Sequence, residues 1–210
     1  LVRKDTVVKG LVIGLVSSLA CAPYVWEASP SSDLRTLQLS FLPFVLVLLA
    51  MVTVAWGEPP HPWREQLLNS IRLALPAGFA LACIYMLGED RYMLVYLAKR
   101  YPKEPSQVLL ALPWVGLFQT LVAVTGVYAF AVRLLRTRTA GLVAVVLVHQ
   151  GLLLLQYRQQ LPVEVLVLGA IFTGLHGLVL GWSYIAVGFA GPVVVAMVCQ
   201  LRHLVRILFF

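Results

Sequence analysis

Apolar residues gather into seven runs, at about 7–26, 37–56, 67–87, 106–132, 140–157, 163–186 and 190–208, separated by short polar breaks. A hydrocarbon core about 30 Å thick needs roughly 20 apolar residues per helix, and most of the runs meet that length. The pattern predicts an all-α fold: a polytopic transmembrane bundle of about seven helices, forming one transmembrane domain over residues 1–210. Helices 1–3 and an interfacial segment fill 1–105, and helices 4–7 fill 106–210.

The breaks carry signals of their own. GluAlaSerProSerSerAspLeuArg, from Glu27 to Arg35, is a proline-broken turn in which Ser32 or Asp33 is expected to cap the second helix. GluProProHisProTrpArgGlu, from Glu58, is stiffened by three prolines and sets Trp63 and Arg64 as an interfacial anchor. The segment from Gly88 to Pro105 mixes aromatic and basic residues, which predicts an amphipathic helix on the membrane surface. Gly188, Gly191 and Pro192 part the last two spans. Gly169, Gly174, Gly177 and Gly181 form a small-residue stripe that lets another backbone come close. No clear cleavage site follows the first run, so it is expected to stay as a helix.

Composition agrees: 60% of the residues are hydrophobic and 12% charged, which no ordinary soluble globule shows. The net charge of +7 is scattered between apolar runs, so it points to headgroup anchors and not to nucleic acid. Cys21, Cys83 and Cys199 lie in different runs without metal-type spacing and read as small packing residues. Trp56, Trp63, Tyr101, Trp114 and Trp182 fall near span ends, as a headgroup belt would. Orientation is undecided. Arg3, Lys4, Lys9, Arg64, Arg72, Arg133, Arg136 and Arg138 on one side balance Arg35, Arg91, Lys99, Arg100, Lys103, Arg158, Arg202 and Arg206 on the other, eight against eight.

Every Asp and Glu falls in a loop or at a span edge, so the interior is expected to hold no acid. Its polar groups are Gln119, Thr120, Thr125, His149, Gln150, Thr173, His176 and Gln200. An imidazole in lipid is costly unless paired. His149 and His176 therefore read either as interhelical hydrogen-bond partners, His149 to a hydroxyl or amide of the fourth or seventh span, or as ligands to haem iron or a chlorophyll-type magnesium. Without an acid or thiolate partner they are a poor zinc set, and no metal site is expected. No GxSxG, HExxH or GxxxxGK pattern occurs.

From Pro113 to Gln200, somewhat less than half the chain, the layout resembles the CPBP family of CAAX prenyl-protease and bacteriocin-processing intramembrane proteins. That family carries EExxxR and Gly on one helix, FxxxH on a later one, then a Gly-rich span and a closing Pro-x-x-x-His-x-x-x-Asn. Here ThrLeuValAlaValThrGly (120–126), ValValLeuValHis (145–149), the stretch Gly177–Gly188 and ProValValValAlaMetValCysGln (192–200) stand in that order. The resemblance puts Thr120 and Leu121 on the glutamates, Thr125 on the arginine, Ala196 on the last histidine and Gln200 on the asparagine; only His149 is retained. A second register sets PheThrGlyLeuHis, 172–176, on FxxxH and HisGln, 149–150, on the glutamates. Both registers lack the water-activating carboxylates, and a threonine hydroxyl cannot replace one near neutral pH.

The resemblance implies a non-catalytic protein of a bacterial cytoplasmic membrane, an accessory, scaffold or assembly subunit that meets other subunits through its glycine-rich faces. Two alternatives stand beside it: an active peptidase built from His149, His176 and an edge carboxylate such as Glu164, and a pigment- or haem-binding subunit of an electron-transfer complex.

Overall fold

A computed structural model describes residues 4–57, 62–98 and 101–209; the side chain of Trp63 is not among what it describes. Among the described residues seven helices are long and apolar enough to cross a membrane, spanning Lys4–Ala28, Ser32–Trp56, Arg64–Leu87, Pro105–Leu135, Arg138–Tyr157, Val163–Val187 and Ala190–Phe209. The chain is an all-α, multi-pass bundle, and each expected span is present with ends moved by a few residues. The proline-rich break at 58–61, the Trp63 anchor, and Arg3, Lys99 and Arg100 lie outside the described residues.

α1 (Lys4–Ala28) and α2 (Ser32–Trp56) form a close hairpin. Gly10 and Gly14 are spaced as GxxxG, and the missing side chains let α1 rest on the backbone of Met51 and Val47 in α2. The cap of α2 is Ser31, one residue earlier than expected: its hydroxyl accepts from the Leu34 amide at 3.2 Å. The third span is α3 (Trp63–Asn69), a π-helical turn at Ser70–Ala74, and α4 (Leu75–Leu87). The fourth is α6 (Pro105–Pro113), two π-helical segments at Trp114–Phe118 and Thr120–Thr125, and α7 (Gly126–Leu135). π turns place an extra residue in the helical ladder and are frequent at functional sites.

α8 (Arg138–Tyr157) and α9 (Val163–Val187) follow, then α10 (Ala190–Gln200) and α11 (Arg202–Phe209) make the last span. Gly188, at φ +95°, takes the left-handed turn between α9 and α10. The central core draws Leu81 and Tyr85 of α4, Val124 of the second π segment of the fourth span, Tyr128 of α7, Val145 of α8, Leu180 and Tyr184 of α9, and Val195 and Cys199 of the last span. A second cluster ties Cys21, Leu42, Leu46 and Ala50 of the hairpin to Leu121.

The glycine stripe of α9 is spent inside the chain. A β-carbon at Gly177 would sit 3.1 Å from Val146 Cα, one at Gly181 2.8 Å from Leu142, and one at Gly174 2.8 Å from the Gln150 amide nitrogen. This face closes on α8, so it is not a free surface for another subunit. Cys21 and Cys199 pack as expected, whereas Cys83 is exposed on α4. Trp114 lies between Tyr24 and Phe118, at ring distances of 5.3 and 3.9 Å, and so joins an internal aromatic stack.

Candidate functional site

α5 (Glu89–Leu97) is the element that departs most from the sequence expectation. A helix does occupy the third connection, with Tyr92, Val95 and Tyr96 exposed. Its other face, Glu89, Asp90, Met93 and Leu97, is buried beneath the bundle. Gly88 makes this possible: a β-carbon there would strike the Phe172 ring of α9, so only glycine lets the chain turn so tightly against that helix. Met93 and Leu97 pack on Leu153, Leu161 and Val165, which pins α5 from below. Glu89 and Asp90 are thereby carried inward, to 6% and 5% exposure: they lie just past the end of the third span, as their place in sequence implies, yet are buried in the fold.

Both acids line a polar chamber of about 340 Å³. Tyr85, Tyr101, Gln119, Tyr157, Thr173, Gln200, Arg202 and His203 are among its other walls. Thr173 and Gln200 lie ten residues from the span ends at Val163 and Ala190, or about 15 Å along a helix, so the chamber reaches mid-depth from the α5 side. Both oxygens of Asp90 are engaged. Arg202 Nε donates to its Oδ2 at 3.0 Å, Arg202 Nη2 to its Oδ1 at 3.5 Å, and the Tyr101 hydroxyl to Oδ1 at 3.0 Å. Arg202 also donates to the Cys199 carbonyl at 3.0 Å and lies over the Tyr85 ring, 4.7 Å from its centre. A buried guanidinium needs such a set of partners, because an unpaired charge in this setting is strongly disfavoured.

Glu89 is different. Its Oε2 is buried without a hydrogen-bond partner among the described residues. Desolvation outweighs the attraction of Arg202 and, with the repulsion of Asp90, raises its carboxyl from 4.5 to about 8, so it is mostly protonated at neutral pH. Burial likewise raises the Tyr101 phenol, with Asp90 adding to the effect, and keeps it a donor. His203 Nδ1 and Arg206 Nη1 are also buried without partners. Arg206 stacks on Tyr101 at 4.5 Å and donates to the Pro102 carbonyl at 2.9 Å; His203 meets the same tyrosine edge-on at 5.3 Å. Tyr101 is thus a chamber residue and not a member of a headgroup belt.

The residues singled out by sequence are dispersed. His149 and His176 stack at 5.7 Å, and His176 meets Tyr85 edge-on at 5.6 Å. His149 Nδ1 pairs with the Val145 carbonyl of its own helix at 2.8 Å, instead of a hydroxyl or amide on the fourth or seventh span. Glu164 is exposed in the first turn of α9, 12 residues or about 18 Å along the helix from His176, so that acid is not brought to the imidazoles. Neither histidine lines either of the two cavities described. Among the described residues no cluster of three His, Cys, Asp or Glu side chains is placed to hold a metal ion.

Thr125 shares a hydrogen bond of 2.9 Å with Thr53 of α2, Thr120 Oγ1 is buried without a partner, and Leu121 and Ala196 are packed in two separate cores. Of the family-motif positions, Gln200 alone reaches the chamber. A second cavity of about 330 Å³ opens between the hairpin and the rest of the bundle and is lined mainly by apolar groups such as Val12, Val16, Leu117 and Phe189. Comparison with family models, curated proteins and solved structures finds no match to this chain.

Proposed function

We propose that this chain is a non-catalytic multi-pass protein of a bacterial cytoplasmic membrane, an accessory, scaffold or assembly subunit of a larger membrane complex. The observation that carries the reading is the engagement of Asp90: both of its oxygens are held by Arg202 and Tyr101, which commits the carboxylate to an ion pair and not to a water. The positions resembling the CPBP glutamates, Thr120 and Leu121, offer no acid either, and neither stacked histidine has a hydrogen bond to an acid among the described residues. Since the α9 glycines are occupied by α8, a partner subunit meets the apolar faces left open, to which α8 contributes Val143, Leu147 and Leu155. Affinity purification from the native membrane in mild detergent tests this. A stoichiometric partner is expected; recovery of the 23.2 kDa chain alone, as a stable monomer, overturns it.

One observation favours a second reading, an intramembrane peptidase. Glu89, whose Oε2 has no hydrogen-bond partner among the described residues, lines a chamber that also holds His203, and its carboxylate form is able to deprotonate water. If that reading is right, Glu89→Gln abolishes cleavage of candidate membrane peptides by the purified wild-type chain. Equal cleavage by the variant rules it out.

A further inference from the structure

We propose that the chamber beneath α5 binds a single oxyanion group, a phosphodiester or carboxylate, held by His203, Arg206 and the carboxyl of Glu89. Three observations meet there. His203 Nδ1, Arg206 Nη1 and Glu89 Oε2 are each buried without a hydrogen-bond partner among the described residues, and His203 and Glu89 are both 6% exposed. Such groups are rare in a folded interior, and each costs free energy until an acceptor or donor arrives. Glu89 and His203 line the chamber, and Arg206 stands behind its wall, stacked on Tyr101 and donating to the Pro102 carbonyl.

Charge selects the sign of the guest. Among the described residues, the charged groups gathered here are Arg202, Arg206, Asp90 and Glu89. Asp90 balances Arg202 through the 3.0 Å ion pair. With the Glu89 carboxyl raised to about 8, it is largely neutral at pH 7 and adds a donor, not a charge. Two guanidiniums against one carboxylate leave one positive charge, which a monoanion neutralises. A cation would meet that surplus charge, and a wholly apolar guest would leave all three groups unpaired. Oxyanions suit the set because a guanidinium N–H, an imidazole N–H and a carboxylic O–H all donate to oxygen.

The site lies where the chain turns at one membrane face, so the group has two sources: the headgroup of an anionic lipid or a free solute. The binding needs no chemistry, and it engages Glu89 and His203, the two groups on which the peptidase reading rests.

Thermal unfolding of the full chain in a neutral detergent is followed with sodium phosphate, sodium acetate or dihexanoyl phosphatidylglycerol, each against sodium chloride at equal ionic strength. Native mass spectrometry after exposure to mixed phosphatidylcholine and phosphatidylglycerol vesicles reports retained lipid. At least one oxyanion is expected to raise the midpoint saturably, on the order of 5 °C at about a hundredfold excess over its Kd. A shift with the lipid alone, accompanied by retained phosphatidylglycerol, identifies a headgroup site; a shift with phosphate or acetate identifies a solute site. Arg206→Gln and His203→Asn are each expected to weaken binding at least tenfold. The proposal is overturned if the wild-type chain shows neither a saturable shift nor a retained anionic lipid, or if either folded variant binds as tightly as wild type. Where neither variant folds, the two wild-type readouts decide.

Discussion

Asp90 and Arg202 illustrate how a buried charge is made tolerable. Together they form an ion pair 112 residues apart in sequence, completed by the Tyr101 hydroxyl and the Cys199 carbonyl. Asp90→Asn leaves the guanidinium without its counter-charge and is expected to destabilise the protein by about 3–5 kcal/mol. Pairing that change with Arg202→Met should recover much of the loss, since two well-packed neutral groups replace the orphaned charge. Unfolding midpoints of the single and double variants check this. Glu89 sets a separate pH dependence. Its folded carboxyl, at about 8, lies above the ordinary 4.5, so the proton is held more tightly in the folded state. Stability from this group is complete below about pH 4.5 and is lost as pH rises through about 8. Glu89→Gln removes the ionisation: the variant should gain on wild type between about pH 5 and pH 9 in thermal unfolding, and an unchanging difference would contradict the assignment.

At the scale of elements, the spans were legible because hydrocarbon thickness leaves a length signature that no neighbour can alter. Gly188 and Pro192 marked the last break for a similarly local reason. Other features are written in the sequence as spacing. Gly10 and Gly14 spell the spacing that brings α1 onto α2, so Gly14→Leu is expected to part the hairpin and cost about 1–3 kcal/mol, measurable in detergent melts. The burial of Glu89 was also within reach: Glu89, Met93 and Leu97 recur at four-residue intervals and so share one helical face. A stripe of two apolar residues that starts with an acid looked like an interfacial helix; what decided otherwise was the Gly88 turn against Phe172, a contact between distant segments. The π-helical turns left no such trace. They depend on how Trp114–Phe118 and Thr120–Thr125 meet α1, α2, α9 and α10, which periodicity does not reveal.

Taken whole, the bundle is asymmetric in what it buries. Its centre is apolar, the hairpin adds an apolar groove, and polar groups collect toward the α5 face. The histidine pair is a ring stack within this apolar body, whereas Glu89, Asp90 and Tyr101 of the third connection join Gln119, Thr173, Gln200, Arg202 and His203 of the spans to build the chamber. A charge count by loops treats Arg202 and Arg206 as topological markers. The structure removes both from that role, because one is paired with Asp90 and the other stacks on Tyr101.

That pairing bears on how the chain enters its membrane. Two arginines within the final hydrophobic stretch oppose its partitioning from the translocon, each by about 2.5–3.5 kcal/mol toward the helix centre. Asp90 leaves the ribosome 112 residues ahead of Arg202, so the counter-ion is already waiting when the last stretch emerges. Insertion of the Ala190–Phe209 span thus leans on the third connection, and a reporter tag placed beyond that span should be mislocated in a larger share of molecules carrying Asp90→Asn than in wild type.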